Sequence, residues 1–200
     1  MVPVKKLLIA FAALLALSAC AENPQGVPYG TPPPGSEEDI QKLEDAILSL
    51  GPGINPVEAA RAARVSYVAT HELALDYEIT DSALIHNIKV NNGTKPRGLC
   101  KHWAEDMEKR LVAEDFETLT IHRAIGRRVL DHSTAIISRR GDSMYDGIVI
   151  DPWRLGGELT WIPTRQDTEW GWQPRKVVLD RRAAILASEM GLERIDYRVE

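Results

Sequence analysis

Cys100 lies in Arg97-Gly98-Leu99-Cys100-Lys101-His102-Trp103 and is one of only two cysteines in 200 residues. It stands where a loop, Lys95-Pro96-Arg97-Gly98, gives way to a helical pattern. Backbone N–H groups point outward at a helix start, and the helix dipole favours negative charge there; both stabilise a thiolate. A thiolate nucleophile needs a base, usually histidine, and a third polar group that holds the imidazole in one tautomer. The chain has five histidines. His71 opens His71-Glu72-Leu73-Ala74-Leu75, which begins like a zinc-protease motif, but Leu75 stands where the second histidine belongs. His86 sits beside Asn87 with no evident ligand set. His102 is two residues past the thiol and so on another face of the helix. His122 falls on a strand candidate as a surface residue. His132 directly precedes an apolar run, and Asp151 ends the next strand. Neighbouring antiparallel strands bring such a pair within hydrogen-bond reach, which makes His132 the best candidate base.

The elements that must position these groups follow from the pattern. Ser36-Glu37-Glu38-Asp39 offers a cap and early acids, and Ile40, Leu43, Ile47 and Leu50 recur at helical spacing until Gly51-Pro52-Gly53. Asn55-Pro56 opens a second, alanine-rich helix from 57 to about 77. Asp81 and Ser82 cap a short third helix carrying Leu84, Ile85 and Ile88. The fourth helix starts near Cys100, with Trp103, Ala104, Met107 and Leu111 along one face. Strands are expected over 116–128, 132–137 and 145–151, with 135–138 paired against 147–150 as a hairpin. A further strand is expected at 176–179 and a final helix at 182–190. Helices first and an antiparallel sheet second make the class α+β.

With those elements placed, Gly98-Leu99-Cys100-Lys101-His102-Trp103-Ala104, then His132 before a strand, then Val149-Ile150-Asp151-Pro152-Trp153 resembles the transglutaminase-like branch of the papain-like cysteine enzymes. The resemblance covers residues 91–161. It implies a nucleophile helix packed on an antiparallel sheet. Cys100 would be the nucleophile, His132 general base and then acid, and Asp151 the group that orients the histidine. The implied reaction is acyl transfer from an amide through a thioester, as in a cysteine peptidase, an amidase or a protein-crosslinking enzyme, with hydrolysis favoured because no amine-donor site can be read. The oxyanion would rest on the Cys100 backbone N–H and a second donor, with Asn91, Asn92 and His102 as candidates. Trp103, Trp153 and Asn92 are candidates for the substrate groove, although packing is the ordinary role of the tryptophans, including Trp161, Trp170 and Trp172. Ser133-Thr134-Ala135 departs from the family, whose members often carry an aromatic residue soon after the histidine. No cofactor motif and no closed set of metal ligands is present. The alternative is a non-catalytic envelope lipoprotein that uses the same fold to bind a peptide or partner protein.

The first residues set the compartment. Lys5 and Lys6 precede an apolar run from Leu7 to Leu17, too short to span a bilayer and laid out as a secretory signal. Leu17-Ser18-Ala19-Cys20 resembles the lipobox of bacterial lipoproteins, which implies cleavage before Cys20 and lipidation of its sulfur. Residues 1–19 are thus read as a lipoprotein signal peptide, 20–36 as a Pro/Gly-rich tether and 37–200 as the transglutaminase-like domain. Ala21 in place of aspartate points to the outer membrane, facing the periplasm. The partners expected are a membrane, through the lipid anchor, and a peptide or protein substrate in the cell envelope. The chain has 24 basic and 29 acidic side chains, net −5, and losing Lys5 and Lys6 makes it −7. That balance argues against nucleic acid as a partner. With Cys20 lipidated, Cys100 has no disulfide partner within the chain, and an unpaired thiol in an oxidising compartment is either buried or used. Arg127-Arg128, Arg139-Arg140 and Arg181-Arg182 are read as solvated faces.

Overall fold

The computed structural model describes residues 30–128 and 130–190. The leader and Cys20 lie outside the described residues. Helix α1 (Glu37–Leu48) opens on a reciprocal cap. The Ser36 hydroxyl accepts from the Asp39 N–H, and the Asp39 carboxylate accepts from the Ser36 N–H, each at 3.1 Å. Helix α2 (Pro56–Asp76) starts on Asn55, whose side chain accepts from the Val57 N–H at 2.9 Å. Ala59, Ala62 and Ala63 are wholly buried on it; their small side chains let α1 and α4 approach closely. Helix α3 spans Ala83–Asn91 and α4 spans Cys100–Val112. Trp103, Ala104, Met107 and Leu111 form the buried face of α4, as the spacing requires.

The sheet holds β1 (Leu119–Arg127), β2 (Asp131–Arg139), β3 (Ile148–Asp151), β4 (Thr160–Pro163) and β5 (Gln173–Pro174) in the order β4-β3-β2-β1-β5. Every pairing is antiparallel. Helix α5 (Arg175–Glu189) follows. Period-two alternation divides β2 between two cores. Ala135 and Ile137 join Met107 and Leu111 under the helices, while Ile136 joins Met144, Val149 and Trp172 on the other face. Removing Met107 or Leu111 from water stabilises the fold by about 2 kcal/mol each. That packing seats the start of α4 against the start of β2. The hairpin register places Ala135 opposite Ile150 and Ile137 opposite Ile148, inside the predicted pairing. The architecture is α+β.

Four expectations change. The strand expected from 145 begins at Ile148, because Met144–Asp146 forms a 3-10 turn and Gly147 passes close over the Ile137 carbonyl. The segment 176–179 is the first turn of α5 rather than a strand. It makes few contacts with the sheet, so the helix-forming run of Leu, Ala, Arg and Lys prevails over Val177-Val178. Ser82 stands at the N-cap of α3 but makes no side-chain cap bond; Leu84, Ile85 and Ile88 face solvent, and His86 is the buried residue of that helix. The far end of the tether is packed: Pro32 is buried, and Gly35 lies flat on the Tyr67 ring.

Candidate active site

Cys100 is the first residue of α4, whose N-cap, Leu99, makes no side-chain cap bond. The thiol is free and half-buried, with Sγ 3.9 Å from the carbonyl oxygen of Asp131, the residue before His132. The preceding loop is held from three sides. Gly98 has φ +120°, and a Cβ there would stand 2.4 Å from His86 Nε2, so only glycine lets the buried imidazole pass. That nitrogen donates to the Arg97 carbonyl at 2.8 Å. The Arg97 guanidinium donates to Asp106 at 2.7 and 3.1 Å, and the same carboxylate oxygen accepts the Tyr77 hydroxyl at 2.5 Å. Burial pushes the Asp106 carboxyl up, but the bonds from Tyr77, Arg97 and Lys109 outweigh it and leave it below its ordinary value. His102 turns its Nδ1 back to accept from the Gly98 and Leu99 N–H groups, both at 3.3 Å. Burial, then Arg97 and Lys101, lower its pKa and so favour that neutral acceptor. His102 is therefore a brace for the loop, and it is not among the residues that line the cleft at Cys100.

His132 is the second residue of β2, and Asp151 closes β3. Nε2 of the imidazole donates to Asp151 Oδ2 at 2.6 Å, and both side chains are essentially without solvent contact, at 0% and 1% exposure. The pair is thus unscreened by water. The other ring nitrogen, Nδ1, is buried and makes no hydrogen bond among the described residues. The Cys100 thiol nonetheless acts on the ring. Burial pulls the imidazole pKa down, but the Asp151 bond and the nearby Cys100 sulfur raise it, to about 9. Three indoles enclose the ring: Trp153, Trp170 and Trp172 lie with centroids 4.6, 4.5 and 5.4 Å away. Tilted at 42°, 52° and 48° to it, they shut water away from the ring. Gly126, opposite His132 in the β1–β2 register, makes this possible; a Cβ there would meet the Trp170 carbonyl at 2.6 Å.

Asp151 is itself fixed. Its Oδ1 accepts from the N–H groups of Trp153 and Arg154 at 3.1 and 3.3 Å, and Arg154 Nε donates to Oδ2 at 3.1 Å. Arg154 also grips Asp167, at 3.2 and 2.7 Å, and Trp172 Nε1 donates to Asp167 at 3.0 Å. One chain of bonds thus runs from the indole above His132 to the carboxylate beneath it. Nothing in the local sequence around Arg154 or Asp167 announces it.

Cys100 and His132 line one cleft of about 760 Å³. Of the remaining candidates, Asn91 lines it. Asn92 does not: it is exposed at the end of α3 and its Oδ1 accepts from the Thr94 N–H and hydroxyl. Trp103 is not a groove residue either, because it is 1% exposed and packed edge-on against Tyr77. Trp153 is a wall of the histidine pocket. Asn87 is the residue sequence reasoning missed. It lines the cleft, and Trp153 Nε1 donates to its Oδ1 at 3.0 Å, which leaves the amide N–H₂ as its free end. No grouping of metal-ligating side chains occurs among the described residues. Among the same residues, no helix is long and apolar enough to cross a membrane. Comparison with protein-family models, with curated proteins and with solved structures finds no match to this chain.

Proposed function

We propose that this chain is a lipid-anchored thiol enzyme of the cell envelope, related to the transglutaminase-like cysteine peptidases, that cleaves or transfers amide acyl groups of peptides or proteins. The observation that carries the reading is the buried 2.6 Å bond between His132 and Asp151, with the second ring nitrogen left for Cys100 at a helix start. Cys100 Sγ attacks the carbonyl carbon, and the thiol proton resides on His132 Nδ1. The C–N bond then breaks as His132 returns that proton to the leaving amine, which leaves a thioester on Cys100. Water adds to the thioester, giving its proton to His132, and the acid departs as the sulfur is released. The tetrahedral oxyanion would sit against the Cys100 N–H and an amide N–H of Asn91 or Asn87, both of which line the cleft. Lipidation of Cys20 would hold the domain at the outer membrane, facing the periplasm.

The test is digestion of a peptide library by the full-length protein, read by mass spectrometry with hydroxylamine present to trap the thioester as a hydroxamate. Products and hydroxamates formed by the wild type and absent with Cys100→Ala support the reading. Identical peptide patterns from the two proteins, with Cys100 also inert to alkylation, would instead favour a binding module.

A further inference from the structure

The cleft around Cys100 is basic in a chain that is acidic overall. Three of its cations are matched by carboxylates within it: Lys109 by Glu105 at 2.9 Å, Arg123 by Glu108 at 2.8 Å, and Arg182 by Asp131 at 2.6 Å. Lys101 and Arg175 also line it, and neither makes an ion pair among the described residues. Both stand in unusual places. Lys101 is the second residue of α4 and Arg175 the first of α5; neither helix has an acid in its first turn, and neither N-cap residue, Leu99 or Pro174, makes a side-chain cap bond. A helix N-terminus already carries partial positive charge, so a cation there is unfavourable. Helix α1 obeys the ordinary rule, with three acids in its first turn. Two positive helix ends, each with an unmatched cation, therefore open on the cleft that holds the thiol. A second hollow of about 440 Å³ shares Glu108, Arg123 and Arg175 with the first, so Arg175 stands between two parts of one groove beside β1.

We infer that the groove takes a peptide acyl donor with carboxylates flanking the scissile amide, and that Lys101 and Arg175 are the residues that select it. The inference rests on the reading of Cys100 as nucleophile. Carboxylates on the peptide would sit against the two helix ends and supply the negative charge those ends lack. The same field would draw an anionic substrate to the thiol from solution.

The experiment compares alkylation of Cys100 in the full-length protein by iodoacetate, which is anionic, and iodoacetamide, which is neutral. The rate ratio reads the potential at the sulfur and cancels changes in thiol reactivity. The ratio should exceed that of mercaptoethanol and fall about threefold in each of Lys101→Ala and Arg175→Ala at low salt. It should fall in the wild type as salt is raised. Lys42→Ala, which removes the same charge from α1, should leave it unchanged. Blocked tetraglutamate should slow iodoacetamide labelling more than blocked tetralysine. A ratio no higher than that of mercaptoethanol, unmoved by the variants, overturns the inference, as does equal or absent protection by the two peptides. If iodoacetamide labelling is the same in His132→Ala as in the wild type, the underlying reading of the site fails, and the inference with it.

Discussion

Replacing Asp151 by asparagine should strip His132 of its charge at neutral pH. The imidazole is held at about 9, above its ordinary 6.5, against a burial effect that acts in the opposite direction. At about 1.4 kcal/mol per pH unit, the partners favour the imidazolium by about 3 kcal/mol net. In Asp151→Asn the amide nitrogen must face one of two sets of donors. Turned to the Oδ2 position it meets His132 Nε2 and Arg154 Nε; turned to Oδ1 it meets the N–H groups of Trp153 and Arg154. The first arrangement forces the wrong imidazole tautomer, and the second leaves two amides facing a donor. Either way the anion is gone and burial remains, so the midpoint should fall to 6.5 or below. The imidazolium fraction at pH 7 would then drop from about 99% to at most about a quarter. The assay is NMR titration of ¹³C-labelled histidine rings in the full-length protein, with His132 assigned by its loss in His132→Gln. The folded pKa of this group lies above its unfolded value, so its contribution to stability is complete below about 6.5 and lost as pH rises through about 9. That alkaline loss should disappear in the variant. A His132 midpoint within half a pH unit of the wild type would refute the reasoning.

Other perturbations separate the parts of the structure. Gly126→Ala should destabilise the domain by about 1–3 kcal/mol in urea unfolding and shift the tryptophan emission to the red, because the new methyl meets Trp170 and Trp172. Glu58 accepts the N–H groups of Glu117 and Thr118 and the Thr118 hydroxyl, at 2.6, 2.8 and 2.5 Å. Glu58→Gln should cost about 2–3 kcal/mol at pH 7 in the same assay. Burial raises the Glu58 carboxyl, but those bonds bring it below 4.5, so its contribution is present above 4.5 and lost as pH falls through the lowered value; the variant should lose less stability on acidification. Leu84→Glu with Ile88→Glu should change stability by less than about 0.5 kcal/mol, because both side chains face solvent.

The parts legible in the sequence are those whose signals are local. A cap followed by apolar spacing marks α1 and α2, apolar spacing alone marks α4, and the apolar run after His132 marks β2 and its pairing with β3. Cys100, His132 and Asp151 are visible because each sits at the end of such an element. What was hidden depends on distant backbone. Trp170 and Trp172 reach His132 only because a strand of two residues pairs with β1 and Gly126 leaves room for it. Arg154 and Asp167 carry no local signal, and only the fold brings them to Asp151. Trp103 follows the thiol in sequence but points into the core, since three residues along a helix from Cys100 is the buried face. The β-branched start of α5 suggested a strand, but the chain turns into a helix directly after Gln173 and Pro174 pair with β1, and leaves the edge of β1 from Leu119 to Arg123 without a partner among the described residues.

The proposed function requires His132 to activate Cys100. The most direct test is the rate of iodoacetamide labelling of Cys100 at pH 7 in the full-length protein, beside His132→Ala. A free thiol is only a few per cent thiolate at that pH. Labelling should be faster than that of a free thiol and should drop about tenfold or more in His132→Ala. Equal rates in the two proteins would contradict it.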